Sequence, residues 1–269
     1  MKQKRSRRPP TGKPAVPGGL ESVFGVHAVR ALIERGETPR ELWVQEGSAS
    51  ERLAELVEAA RAGGARVQRR PRDELDRLAQ GAAHQGIVAF AAPLAFAAES
   101  ELWFRLEAWP GEAPPLLLVL DGVTDVHNFG ACLRSADAAG VDGVIVPKDK
   151  AAPLNATVRK VACGAAESVP VYQVTNLARA LARLKALGVW VTGTAGEAEA
   201  LVFEADLAGP TALVMGAEGK GLRRLTREAC DQLVKLPMVG SVSSLNVSVA
   251  TGICLFEAVR QRRGQGYRR

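Results

Sequence analysis

The chain has 269 residues, 47% of them apolar and 24% charged, with four cysteines and a formal net charge of +6. That length and mix suit one large globular domain or two ordinary ones and supply enough apolar side chains for a buried core. No apolar run nears the ~20 residues of a membrane span, and no apolar segment follows the basic opening, so a cytoplasmic protein away from the membrane is expected. Cys132, Cys163, Cys230 and Cys254 are scattered without a Cys-x-x-Cys pair. Buried free thiols are therefore expected, rather than a zinc site or a disulfide framework, and no metal. The charge is unevenly placed: residues 1–19 and 260–269 hold eleven basic residues and no acidic one. The body between them carries 24 basic against 29 acidic residues. Basic ends on a neutral or acidic body fit arms that follow a phosphate backbone, and equally fit plain solubilising tails.

Residues 1–19, rich in proline and glycine, read as a disordered basic tail. From about Leu20 to Ala92 the pattern is a small α/β unit. Helices are expected at Val26–Glu34, Ser50–Ala62 (with Ser50 as N-cap) and Arg72–Leu78, and strands at Glu41–Val44, Ala65–Gln68 and Ile87–Ala91. Residues 93–113, with prolines around a short Glu101–Trp109 stretch, read as a linker. The segment 114–263 alternates more plainly. Strands are expected at Leu116–Leu120, Val141–Val146, Val169–Tyr172, Val189–Thr192, Thr211–Met215 and Leu233–Leu236. Helices are expected at Gly130–Ala139, Leu154–Ala162, Leu177–Leu187 and Leu245–Arg262, the last with Val249, Ile253, Phe256 and Val259 on one face. This alternation implies an α/β fold with a mostly parallel sheet covered on both sides. A short basic tail, 264–269, follows.

Three blocks carry the chemistry: Asn128-Phe129-Gly130-Ala131-Cys132-Leu133-Arg134, Leu213-Val214-Met215-Gly216-Ala217-Glu218-Gly219, and Leu236-Pro237-Met238 leading to Ser243-Ser244-Leu245-Asn246-Val247-Ser248. Each sets small or polar residues beside an apolar run, where α/β proteins open their backbone to ligands. Gly216–Gly221 is neither Gly-x-Gly-x-x-Gly nor a phosphate loop, and no Gly-x-Ser-x-Gly or His-x-x-x-His pair occurs. Dehydrogenase, ATPase, serine hydrolase and metalloenzyme readings lose ground accordingly. Taken singly, Gly216 and Glu218 would be a turn with a solvated carboxylate, Asn128 a helix cap and Arg134 a surface residue. Their joint order is what weighs against those readings.

The three blocks resemble the three motifs of the SpoU (TrmH) family of RNA ribose 2′-O-methyltransferases, in the SPOUT superfamily. The first matches Asn-x-Gly-x-x-x-Arg at Asn128, Gly130 and Arg134, and the second a strand ending in Gly-x-Glu-Gly at Gly216, Glu218 and Gly219. The third matches Leu-Pro-Met at 236–238 and Ser-Leu-Asn-Val-Ser at 244–248. Asp121–Asp125, Leu154–Thr157, Val161–Glu167, the opening Val23–Val29 and the closing His84–Gly86 are similar to the 23S rRNA guanosine branch.

The resemblance implies a parallel-sheet catalytic domain with a C-terminal trefoil knot, behind a ribosomal-protein-like RNA-binding domain at 20–92, in a homodimer. It implies S-adenosylmethionine bound by Gly216, Leu236, Met238, Ser244 and Leu245, with Gly216 letting the backbone approach the cofactor. It makes Arg134 the candidate base and Asn128 the residue that positions ribose or phosphate, with Glu218, Ser244 and Asn246 orienting Arg134 and the substrate. Guanidinium normally stays protonated, so a second role stays open for Arg134, stabilising the alkoxide or clamping phosphate. The implied substrate is a guanosine in the peptidyl-transferase loop of 23S rRNA. A tRNA or resistance-type rRNA 2′-O-methyltransferase is the near rival, and a non-catalytic RNA-binding protein the distant one.

Overall fold

The computed structural model describes residues 16 and 18–266, apart from positions 49, 80 and 82. The basic residues Lys2 to Lys13, Arg268 and Arg269, expected to form tails, lie outside those described. The chain divides into two compact units between Ala92 and Pro93.

The first unit runs β1 (Glu21–Phe24), α1 (Val26–Glu34), β2 (Glu41–Gln45), α2 (Glu51–Ala62), β3 (Arg66–Arg70), α3 (Arg72–Ala79) and β4 (Ile87–Ala91). Its sheet has the order β1-β4-β2-β3, antiparallel except where β2 pairs with β3. Side chains alternate along the strands, so each face finds its own cover. Leu42, Val44, Ile87 and Ala89 pack under α1 and α2, whereas Trp43, Val88 and Phe90 meet Leu75 of α3. Trp43 and Phe90 lie edge to face with centroids 5.1 Å apart. Gln85, at φ 50°, turns back so that its Oε1 accepts from the Val26 N–H at 3.0 Å and caps α1. Ser50 occupies the N-cap position of α2, but its side chain makes no capping bond.

The second unit runs β5 (Ala97–Ala98), α4 (Glu99–Glu107), β6 (Leu116–Asp121), α5 (Val126–Ala138), β7 (Gly143–Pro147), α6 (Ala156–Ala162), α7 (Ala165–Ser168), β8 (Val171–Val174), α8 (Leu177–Ala186), β9 (Trp190–Thr194), β10 (Ala200–Leu201), β11 (Thr211–Gly216), α9 (Arg224–Ala229), β12 (Gln232–Lys235) and α10 (Val247–Gly264). All its described strand pairs are parallel, in the order β10-β12-β9-β11-β6-β7-β8-β5. The central run Leu116–Asp121 is buried throughout and serves two cores. Leu116, Leu118 and Leu120 face Phe129 and Leu133 of α5 and Cys254 and Leu255 of α10. Leu117 and Val119 face Leu102 and Leu106 of α4 and Leu181 and Leu184 of α8.

Beyond the short elements β1, α7, β10 and α9, which were not expected, the structure departs from the expectations in three places. The stretch 93–113, read as a linker, carries β5 and α4, and β5 pairs with β8 at the sheet edge. The prolines that suggested a linker flank the helix rather than enter it, and Leu102, Trp103 and Leu106 bury its inner face. Of the four residues expected on one face of α10, Val249, Ile253 and Phe256 are 51%, 36% and 50% exposed, and only Val259 packs, partly buried, against the core. The buried face is Val247, Thr251, Cys254, Leu255 and Ala258, which reads weakly because it mixes threonine, cysteine and alanine with larger residues. Finally, Cys163 is exposed and Cys230 half-buried, so only Cys132 and Cys254 are the buried free thiols expected.

Gly130 lets α5 lie against α6. A Cβ there would stand 2.8 Å from Val161 Cβ and 3.1 Å from the Val158 carbonyl oxygen. Gly130→Ala should therefore destabilise the protein by about 1–3 kcal/mol through overpacking, although alanine is the better helix former. Urea unfolding measures this, and a stabilised variant would contradict the packing account.

Candidate active site

In parallel sheets, ligands settle beyond the C-terminal strand ends, where neighbouring strands send the chain in opposite directions. Here that place lies between β6 and β11. From β6 the chain moves outward through β7 and β8, then returns on the other side through β9. The two strands end together, Asp121 opposite Gly216. A cavity of about 660 Å³ opens beside this point, lined by 216–222, Leu236, Met238 and 243–246.

The three sequence blocks meet at one side chain. Asn246 stands at the N-cap of α10, where its Oδ1 accepts from the Ser248 N–H at 2.9 Å and the Ser248 hydroxyl at 2.6 Å. Its Nδ2 donates to Asn128 Oδ1 at 2.9 Å and to Glu218 Oε1 at 2.5 Å. These partners fix which way the amide points, since a backbone N–H only donates and an ionised carboxylate only accepts. Asn128 is free to take part because Asp125 does the capping of α5, accepting from the Asn128 N–H at 2.8 Å. The bland reading of Asn128 as the helix cap is thereby set aside.

Gly216, Leu236, Met238, Ser244 and Leu245, the candidate cofactor residues, all line the cavity together with Glu218 and Asn246. Arg134 stands apart. It is exposed on α5, with Nη1 3.6 Å from the Cys163 sulfur, and no carboxylate among the described residues pairs with it. The sequence reading missed a wall formed by 194–197 at the end of β9, with Arg227 of α9 ion-paired to Glu197. The glycine at 196, just past an apolar strand, was the available signal.

Gly216 has a reason to be glycine within the chain itself, beside the one expected from a cofactor. A Cβ there would fall 2.2 Å from the Gly221 carbonyl carbon and 2.5 Å from the Leu222 nitrogen. The chain's own return turn, closed by paired Ala217 and Gly221 backbone bonds of 3.2 and 2.9 Å, demands it before any ligand does.

Among the described residues, no group of three or more His, Cys, Asp or Glu could hold a metal ion. No helix of these residues is long and apolar enough to cross a membrane.

The model of the SpoU rRNA methylase family matches residues 115–256, and that of the RNA 2′-O ribose methyltransferase substrate-binding domain matches residues 22–97. The chain belongs to the SpoU rRNA methylase family. It is 60% identical over 243 residues to the 23S rRNA (guanosine-2′-O-)-methyltransferase RlmB of Pseudomonas aeruginosa, covering 90% of this chain and 97% of that protein. It is 55% identical to RlmB of Escherichia coli K12, covering 90% and 99%. Among solved structures, the SpoU methyltransferase AviRb of Streptomyces viridochromogenes in complex with AdoMet superposes with a TM-score of 0.73. That pair shares 28% identity over 91% of this chain and 92% of AviRb.

The four cysteines of this SpoU protein should separate by reactivity. Burial pushes the Cys132 thiol up to about 11, with a smaller opposing effect from its bond to Thr251, and pushes Cys254 up to about 12. Cys230 rises to about 11, by burial first and then by the nearby Asp231. Thiolate is the reactive form, so at pH 8 these three stay protonated and slow. A disulfide reagent should modify one thiol per native chain quickly, and Cys163→Ser should abolish that phase.

Proposed function

We propose that this chain transfers a methyl group from S-adenosylmethionine to the ribose 2′-oxygen of a guanosine in 23S rRNA. The observation that carries this reading is the 55–60% identity to RlmB proteins across both units. The target in this reading is the peptidyl-transferase loop, and the place of action is the cytoplasm. The cavity suits the cofactor in both size and chemistry. It offers apolar side chains at Leu236, Met238 and Leu245 and turn backbone at 216–221, as an adenosine requires.

When bound, S-adenosylmethionine supplies an electrophilic methyl carbon on a sulfonium that leaves as a neutral thioether. The protein must place a weakly nucleophilic hydroxyl in line with that carbon and favour loss of its proton. Asn246 holds Glu218 and Asn128 in one arrangement at the cavity, so we assign these two to orienting the substrate, with Ser244 on the same wall. Guanidinium is a poor base in any protein setting and presents only N–H donors. We therefore assign Arg134 to the charge developing on the 2′-oxygen or to the adjoining phosphate, rather than to accepting the proton.

Residues 20–92 are assigned to holding the RNA, as a ribosomal-protein-like domain, and 114–263 to catalysis. The trefoil knot is supported by strand order: β12, the last strand in sequence, lies between β10 and β9, and the chain continues from it to α10. A homodimer is supported by the exposed stripe Val249–Ile253–Phe256, since apolar patches of this kind mark association surfaces.

The direct test is methyl transfer from labelled S-adenosylmethionine to 23S rRNA lacking the modification, read as 2′-O-methylguanosine at one site. Absence of label on that RNA would overturn the reading. Arg134→Ala should lower the rate ~10²–10³-fold, the range for removing one donor to a developing oxyanion, with the melting temperature unchanged. Asn246→Ser keeps a helix cap but loses the amide donor, so it should slow transfer far more than it destabilises the fold. Ile253→Asp should shift sedimentation from dimer to monomer, and a variant that still sediments as dimer would place the interface elsewhere.

A further inference from the structure

Asp121 is the last residue of β6, and its side chain is fully buried. Its Oδ2 accepts from the Arg223 backbone N–H at 2.8 Å, and its Oδ1 from Arg223 Nε at 2.5 Å. A buried carboxylate needs such partners, and two N–H donors on one residue supply them in a fixed geometry. The connection closes a ring. Asp121 lies opposite Gly216 in the sheet, Gly216 leads into the turn 217–221, and Arg223 follows the turn and returns to Asp121. Within this ring stand Glu218, which meets Asn246, and the backbone that lines the cavity from 216 to 222.

We propose that Asp121 is a positioning residue for cofactor binding: its carboxylate pins Arg223 and so holds the 217–222 turn against the end of β6 in the shape the cofactor requires. The inference rests on the reading of the cavity as the S-adenosylmethionine site. It assigns to Asp121 no contact with the cofactor. It also separates two parts of the turn. Gly216 allows the turn to double back, and Asp121 decides how far its returning limb stands from the sheet.

Asp142 provides an internal control. It stands just before β7, beside the opposite end of β6, where its Oδ2 accepts from the Leu116 N–H at 2.8 Å. Both carboxylates tie β6 to a neighbouring segment, and only Asp121 ties it to the cavity.

The test compares full-length Asp121→Asn and Asp142→Asn with the unaltered protein, using calorimetric titration of S-adenosylmethionine and gel-shift titration of a 23S rRNA fragment. Asparagine keeps the shape and one acceptor, but turns an N–H₂ toward Arg223, so the pin fails without a cavity. Asp121→Asn should weaken cofactor binding about 10- to 100-fold, the range for losing a charged hydrogen bond, and leave RNA affinity unchanged. Asp142→Asn should bind cofactor as the unaltered protein does, even where it melts at a lower temperature. Arg223→Ala, which retains the backbone N–H, should fall between them. Equal cofactor affinity in Asp121→Asn and the unaltered protein would overturn the proposal, as would equal losses in both aspartate variants. If the unaltered protein itself binds no S-adenosylmethionine, the cavity assignment fails instead. If Asp121→Asn does not fold, Arg223→Ala and Arg223→Gln decide by the same titration, and unchanged affinity in both overturns the proposal.

Discussion

One primary amide holds together segments that are more than a hundred residues apart in sequence. Asn246 spends its oxygen on the start of α10 and its nitrogen on Asn128 and Glu218. Its two ends cannot be exchanged without setting donor against donor, so the side chain has one orientation. The consequence is structural economy: the residue that begins the last helix also fixes the relative positions of the first helix after β6 and the turn after β11. Charged or amide-rich clusters of this kind lose much of their value when one member is left unsatisfied. The three blocks are therefore better regarded as one unit than as three independent contributors.

The rest of the second unit brings these segments within reach. β6 and β11 lie side by side, and their shared end is where the chain direction switches. The helices α5 and α10 pack on the same sheet face through Cys132, Leu133, Cys254 and Leu255, and Cys132 and Thr251 touch at 3.5 Å. Small residues carry much of this closeness. Gly130 admits Val161, and Gly216 admits the backbone of Gly221. In both blocks the glycine is explained by contacts inside the chain, while the polar residues nearby face outward.

Much of this was legible in the sequence. Buried parallel strands such as Leu116–Asp121 read as continuous apolar runs, and the alternation with helices indicated the sheet type. The three blocks announced a shared site through their order. Other features depend on contacts that no local pattern records. The two-residue strands β5 and β10 are too short to have a period, and α4 hid among prolines that border it. In α10 the largest apolar residues misled, because its inward face is held by threonine, cysteine and alanine packed against α5. The position of Arg134 next to Cys163, rather than beside Asn246, was likewise invisible. It depends on the left-handed turn at Cys163, φ 54°, that ends α6.

The helix α10 belongs to the cavity at one end and presents its apolar stripe to solvent along its outer side. A helix is stiff along its axis, so whatever covers Val249, Ile253 and Phe256 also bears on the residue that begins it. Where each of two binding events favours a different position of one element they are thermodynamically linked, and the linkage is reciprocal: each changes the other's free energy by the same amount. If a second copy of the chain covers that stripe, as the proposed homodimer requires, and shifts the helix, the affinity of the cavity becomes a function of protein concentration and the ligand becomes a term in self-association.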